Sequence, residues 1–198
     1  MIKCVFILVL AINISCNAQN KPLMIPEIDN KFEKFDNDLY DELSMKNHPN
    51  ITPSDSSYIE IARLQESRYF NTSKDSYFTI VKLYHQNFNI KKKGLGFNVA
   101  PFTFKKGVWY EFDEQGNLIK ETDYDQPFTF TFEDILKFCE KHGIKIDIGP
   151  ILPNTGWHND IFRDIQNGKP IWRIEHLKKT NLVEVIKIDG VTGKVLET

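Results

Sequence analysis

Cysteine is nearly absent from this chain of 198 residues, with three in all. Cys4 and Cys16 lie in the N-terminal stretch, so Cys139 stands alone in the body, and one thiol builds no internal disulfide framework. Metal-ligand spacing is missing as well. The histidines at 48, 85, 142, 158 and 176 are scattered, with no i, i+4 pair on a helix, so neither a metal nor a cofactor is expected. An excess of one charge is lacking: 25 Lys and Arg against 27 Asp and Glu leave a net charge of −2, which argues against nucleic acid as a partner. The one dense basic run, Lys91-Lys92-Lys93, sits between strand-like segments and reads as a solvated turn. No apolar run reaches the roughly 20 residues that cross a bilayer.

What stands at the start is Met1-Ile2-Lys3 followed by an unbroken apolar run from Cys4 to Ile12. A short positive region and an apolar region of this length predict a signal peptide over residues 1–18. Two cleavage signals compete. Ile14-Ser15-Cys16 resembles the end of a bacterial lipobox, whose cysteine is acylated and becomes the new N-terminus, although Asn13 stands where an apolar residue is usual. Cys16-Asn17-Ala18 fits a small-x-small cleavage before Gln19. Lipidation at Cys16, and hence attachment to the cell envelope, is the expectation taken forward, with free secretion as its alternative.

Residues 19–55 are rich in Asn, Asp, Lys, Pro and Ser; Gln19 to Pro26 reads as a tether, and Phe32, Phe35, Leu39 and Leu43 recur at the spacing of a short docking helix. From Tyr58 the period changes to two. Segments around Tyr58–Arg63, Tyr77–Tyr84, Phe97–Phe104, Val108–Phe112 and Leu118–Tyr124 alternate. They are separated by turn chemistry at Asn71-Thr72-Ser73, Asn87, Gly94, Lys106-Gly107 and Gln115-Gly116-Asn117. That spacing predicts an antiparallel meander over 56–126. Thr131 then looks like an N-cap, with Asp134 completing a capping box, Phe132, Ile135, Leu136 and Cys139 forming a stripe, and Gly143 closing the helix. Ile144 to Ile148 reads as a strand. Asn159 is taken to cap a second helix carrying Ile161, Phe162 and Ile165 on one face and ending at Gly168. A hairpin of Trp172–Leu177 with Leu182–Ile188 and a short strand at Val195–Thr198 follow. The expected class is α+β: a meander, then a helix–strand–helix–hairpin part over 127–198.

Two stretches resemble known families. Gly107-Val108-Trp109-Tyr110-Glu111-Phe112-Asp113-Glu114-Gln115-Gly116-Asn117-Leu118 resembles one MORN-like repeat of antiparallel sheet proteins. The segment from Asn159 to Leu196, with its Asp189-Gly190-Val191-Thr192-Gly193 turn, is similar in outline to a PepSY module: helix, strand, strand, turn, strand. PepSY modules occur as inhibitory propeptide pieces and small envelope modules, so the resemblance implies binding rather than catalysis.

No catalytic residues are assigned. The acids Glu111, Asp113, Glu114, Glu121, Asp123 and Asp125 flank one hairpin and read as a solvated edge. Trp109, Tyr110, Trp157, His158 and Asp160 are the candidate binding residues, because aromatics give large contact area at low entropy cost and 154–160 is the most chemically varied loop. The expected function is that of an exported, lipid-anchored envelope protein with a non-enzymatic, protein-binding role of inhibitor, immunity or assembly type. The alternative is a small envelope hydrolase using His158 with the hairpin acids. A cleft joining His158 to one of those acids would favour the second.

Overall fold

The structure is a computed structural model that describes residues 23–45, 50–51, 57–98, 101–151 and 156–197. Two antiparallel sheets carry most of the regular secondary structure among these residues. The first has seven strands in sequence order: β1 (Asn50–Ile51), β2 (Tyr58–Ala62), β3 (Arg68–Thr72), β4 (Phe78–Tyr84), β5 (Ile90–Phe97), β6 (Lys105–Phe112) and β7 (Leu118–Asp123). The second has four: β8 (Asp160–Gln166), β9 (Lys169–Lys179), β10 (Leu182–Asp189) and β11 (Val195–Glu197), in the spatial order β11-β10-β9-β8. Helices are confined to α1 (Asn37–Met45) and α2 (Phe132–Lys141). The expected α+β class is therefore wrong: among the described residues the protein is mostly β, with two short helices.

The largest single error lies at β8. Positions 161 and 165 are spaced i, i+4, a distance that suits both a helix face and one face of a strand, so periodicity could not separate them. The turn decides. Asn167 and Gly168 both adopt positive φ, 52° and 75°, between Gln166 and Lys169, which pair directly. An Asn-Gly pair of that handedness closes a two-residue hairpin, so β8 folds back along β9 and no second helix forms. The PepSY-like outline loses its helix by the same observation. Ile144–Ile148 joins no ladder, although Ile144 and Ile146 are buried.

Four expected turns of the meander also lie inside strands, Lys106-Gly107 among them in β6. Asn71 and Thr72 belong to β3, where Thr72 and Thr79 share a fully buried hydroxyl–hydroxyl bond of 2.6 Å. Gly94 lies within β5, and it is glycine there because the indole of Trp109 occupies the space a Cβ would fill. Lys91-Lys92-Lys93 is likewise in β5, and Lys93 is only 3% exposed. Its ammonium donates to Asp29 Oδ1 at 2.9 Å, Lys31 O at 2.7 Å and Glu33 Oε1 at 3.1 Å. Lys82 reaches the other Glu33 oxygen at 2.5 Å. The N-terminal segment is thus clamped across β4 and β5, and backbone bonds from Phe35 to Phe88 and from Ile90 to Glu33 extend the clamp. Leu23 and Ile28 already pack on the main core, so Leu23 to Pro26 are not part of a free tether. α1 then covers the other end of this face through Phe35, Leu43, Ile61, Tyr84 and Phe112.

One aromatic cluster joins both sheets to α2. Phe97 stacks on Phe104 at 4.8 Å, Phe132 of α2 meets Phe78 and Phe97 edge-on, and Trp172 of β9 stands against Phe104 and Phe128. The indole N–H is satisfied by Phe130 O at 2.8 Å. The capping box at Thr131 and Asp134 fixes the start of α2, as its sequence requires. Beside this cluster Arg163 is buried with its guanidinium near the rings of Phe104, Phe128 and Trp172 and its charge on Asp125 at 2.6 Å. Burial works to raise the Asp125 carboxyl, but bonds from Lys106 and Arg163 outweigh it and hold the group below the usual range.

Asp125→Asn should therefore cost about 2–3 kcal/mol at neutral pH, because Arg163 stays buried without its counter-charge. A depressed carboxyl contributes its stability above the unfolded-state value of about 3.9 and loses it as pH falls through the lower folded value. Urea unfolding of wild type and variant should diverge at pH 7 and converge as pH drops below about 3.9. A gap of unchanged size at pH 2 would place its origin elsewhere.

Candidate functional site

The chemically varied loop predicted around residue 158 is assembled on the segment that leaves α2. Ile144 and Ile146 enter the core, so alternation along this extended segment turns Lys145 and Asp147 outward. His158 Nδ1 lies 2.7 Å from Asp147 Oδ2, and Lys145 Nζ lies 2.6 Å from Asp147 Oδ1. The Lys145 ammonium, then His158, hold the Asp147 carboxyl below its usual range. Asn159 pins the loop on both sides. Its amide donates to Lys145 O at 2.8 Å, while its carbonyl accepts from Leu177 N–H at 3.0 Å and lies 3.1 Å from His176 Nδ1.

An imidazole oriented by a carboxylate is the base–orienter pair of a catalytic triad, without the nucleophile. Its acid, however, is Asp147, which the hairpin reading did not include. Among the described residues, five of the six hairpin acids are engaged elsewhere, Glu114 being the exception. Glu111 binds Lys92 at 2.8 Å, Asp113 accepts from Asn117 and Gln115 within its own turn, and Glu121 takes a bond from Asn30. Asp123 caps the Asp125 N–H, and Asp125 serves Arg163 and Lys106. Among the described residues, no three or more His, Cys, Asp or Glu side chains converge in a way that would hold a metal ion.

The remaining candidates divide by burial. Trp109 is buried, lies on Gly94 and donates its indole N–H to Leu95 O at 3.1 Å, so it is a core residue. Tyr110 packs at the edge of the α1 cluster. Trp157 is half exposed. Asp160 starts β8, where burial pushes its carboxyl up against the bonds from Ile161 N–H, Thr103 and Asn98. His158 and Asp160 thus face different partners. Cys16 lies outside the described residues.

Sequence reasoning missed two further features. One is a cavity of about 700 Å³ under the N-terminal segment, whose wall carries Lys82, Lys93, Glu33 and Asp29, all joined in the clamp. The other is a cavity of about 390 Å³ where the two sheets meet, whose walls combine the rings of Phe104, Tyr124 and Phe128 with the charged side chains of Lys105, Asp123, Arg163 and Asp164. The alternation in Ile144-Lys145-Ile146-Asp147 was a usable signal for the His158 partner; the cavity had none, because its walls come from separated strands.

Cys139 is buried on α2, and burial alone pushes its thiol up to about 12. The thiolate is the reactive species, so in native protein at pH 8 the peptide containing Cys139 should stay unmodified by an alkylating reagent. It should react fully in urea, as read by mass spectrometry. Rapid native alkylation would contradict the burial. No family model, curated protein of known function or solved structure matches the chain.

Proposed function

We propose that this protein is exported, anchored to the cell envelope through an acylated Cys16, and acts there by binding a protein partner rather than by catalysis. The observation that carries the reading is the contrast between its reactive groups and its surfaces. The thiol of Cys139 is sealed in the core, and five of the six hairpin acids are engaged in ion pairs, turns or other hydrogen bonds. A cavity with aromatic walls, by contrast, opens at the joint of the two sheets. Aromatic concavities of this kind are where protein anchors lodge. The partial resemblance to PepSY modules points the same way in function, though the observed sheet lacks their helix.

The expected consequence of Cys16→Ala is release of the protein from the membrane fraction into soluble extract. An intact mass beginning at Gln19 without lipid would remove the anchor. For the binding role, cross-linking in cells followed by purification of this protein should recover one partner protein in near-stoichiometric amount. Turnover of a peptide or glycan substrate that His158→Gln abolishes would overturn the non-catalytic reading.

A further inference from the structure

The two sheets end in edge strands, β7 and β8, that meet at this second cavity, and the two edges are treated differently. On β9, Pro170 O is used by Gly190 N–H on the β10 side. The alternation of an antiparallel ladder then turns the backbone groups of its partner Ile165, and with it Arg163 and Ile161, toward the free edge of β8. That edge is closed by side chains. Asp160 takes the Ile161 N–H at 2.9 Å, Asp164 takes the Ile165 N–H at 2.8 Å, and Thr103 donates to Ile161 O at 2.5 Å. Such local caps are a way of preventing strand addition.

On β7, Tyr124 N–H bonds Gly107 O, so the same alternation points the backbone groups of Asp123 and Glu121 outward. Among the described residues no side chain caps these two N–H groups. The strand is exposed along most of its length, and its free edge carries two acids two residues apart. Thr122, between them, alternates to the other face of the strand, and it lines the cavity together with Asp123 and Tyr124. Its buried hydroxyl oxygen has no hydrogen-bond partner. Asp164, on the opposite lip, adds a further exposed carboxylate.

We propose that β7 is the docking edge for an extended segment of the partner protein, one that carries basic residues two apart with an apolar or aromatic residue between them. The segment adds as a strand beyond β7. Its basic side chains oppose Glu121 and Asp123, and the intervening side chain, opposite Thr122, enters the cavity below Tyr124 and Phe128. Main-chain bonds supply affinity and the alternating pockets supply selectivity, as in other strand additions. A second copy of this chain fits poorly. Outward residues must oppose outward residues, and registers centred on β7 then set Glu121 against Glu121, Glu121 against Asp123, or Lys120 against Lys120. Each of these opposes like charges.

This inference rests on the binding reading above. Its probe is a labelled ten-residue peptide alternating Lys with Phe and Val, titrated into the purified protein by fluorescence anisotropy. Binding should saturate, weaken with salt, and fall at least tenfold in the double variant Glu121→Lys, Asp123→Lys. That variant gives up the Asn30 bond to Glu121 and the cap on Asp125 N–H, so its thermal unfolding should drop slightly but stay cooperative, and peptide binding is compared at a temperature where both proteins are fully folded. Ile165→Asp, at the cavity lip, should weaken this peptide but not one with Ala in place of Phe. Amide exchange at Glu121 and Asp123 should slow in the complex. No saturable binding, indifference to charge reversal, protection confined to another edge, or self-association that the double variant removes would each overturn the proposal. A cross-linked partner mapped away from β7 would defeat this inference and leave the binding role; no partner at all would defeat both.

Discussion

The contact of Trp172 with Phe104 and Phe128 holds the molecule together as one body, since it is here that a strand of the second sheet meets the end of the first. α2 serves as the wedge: Phe132, Ile135 and Cys139 fill the angle between the sheets, and the capping box sets where that wedge begins. Fully burying a ring or branched aliphatic side chain is worth about 1.5–3 kcal/mol, so this cluster dominates the folding energy. It also places β7 and β8 beside one another, and the cavity between them is a by-product of two twisted sheets packing through one helix.

Two buried cations give the arrangement its specificity. Apolar rings tolerate many relative orientations, whereas a guanidinium or ammonium out of water requires its partners in place. Arg163 demands Asp125 and so fixes β8 against the end of β7. Lys93 demands Asp29 and Glu33 and so fixes the N-terminal segment across the first sheet. Both link residues far apart in the chain.

Sequence legibility followed the range of the forces. α2 could be read because a capping box and a 3.6-residue stripe are local, and the β6–β7 hairpin because Asp113 organises its Gly-Asn turn within five residues. β9 and β10 could be read for the same reason. β8 could not, since Ile161 and Ile165 satisfy both periods and the Asn167-Gly168 turn was taken for a helix stop. β3 was hidden because Asn71 and Thr72 look like turn residues until Thr79 appears opposite. The lysine run misled because the acids that bury Lys93 lie about sixty positions earlier. At the candidate site, Trp109 has the residue type of a binding aromatic but packs on Gly94, and the acid that partners His158 belongs to the segment after α2, not to the β6–β7 hairpin.

The docking of Leu23 on the core also limits where the protein can act. If the anchor is Cys16, only residues 17–22 separate lipid from body, and six residues span at most about 20 Å fully extended. A domain held so low meets partners embedded in or lying on the same membrane at high local concentration and meets freely diffusing ones at no advantage. Length of chain, rather than any surface feature, would then select which proteins it encounters.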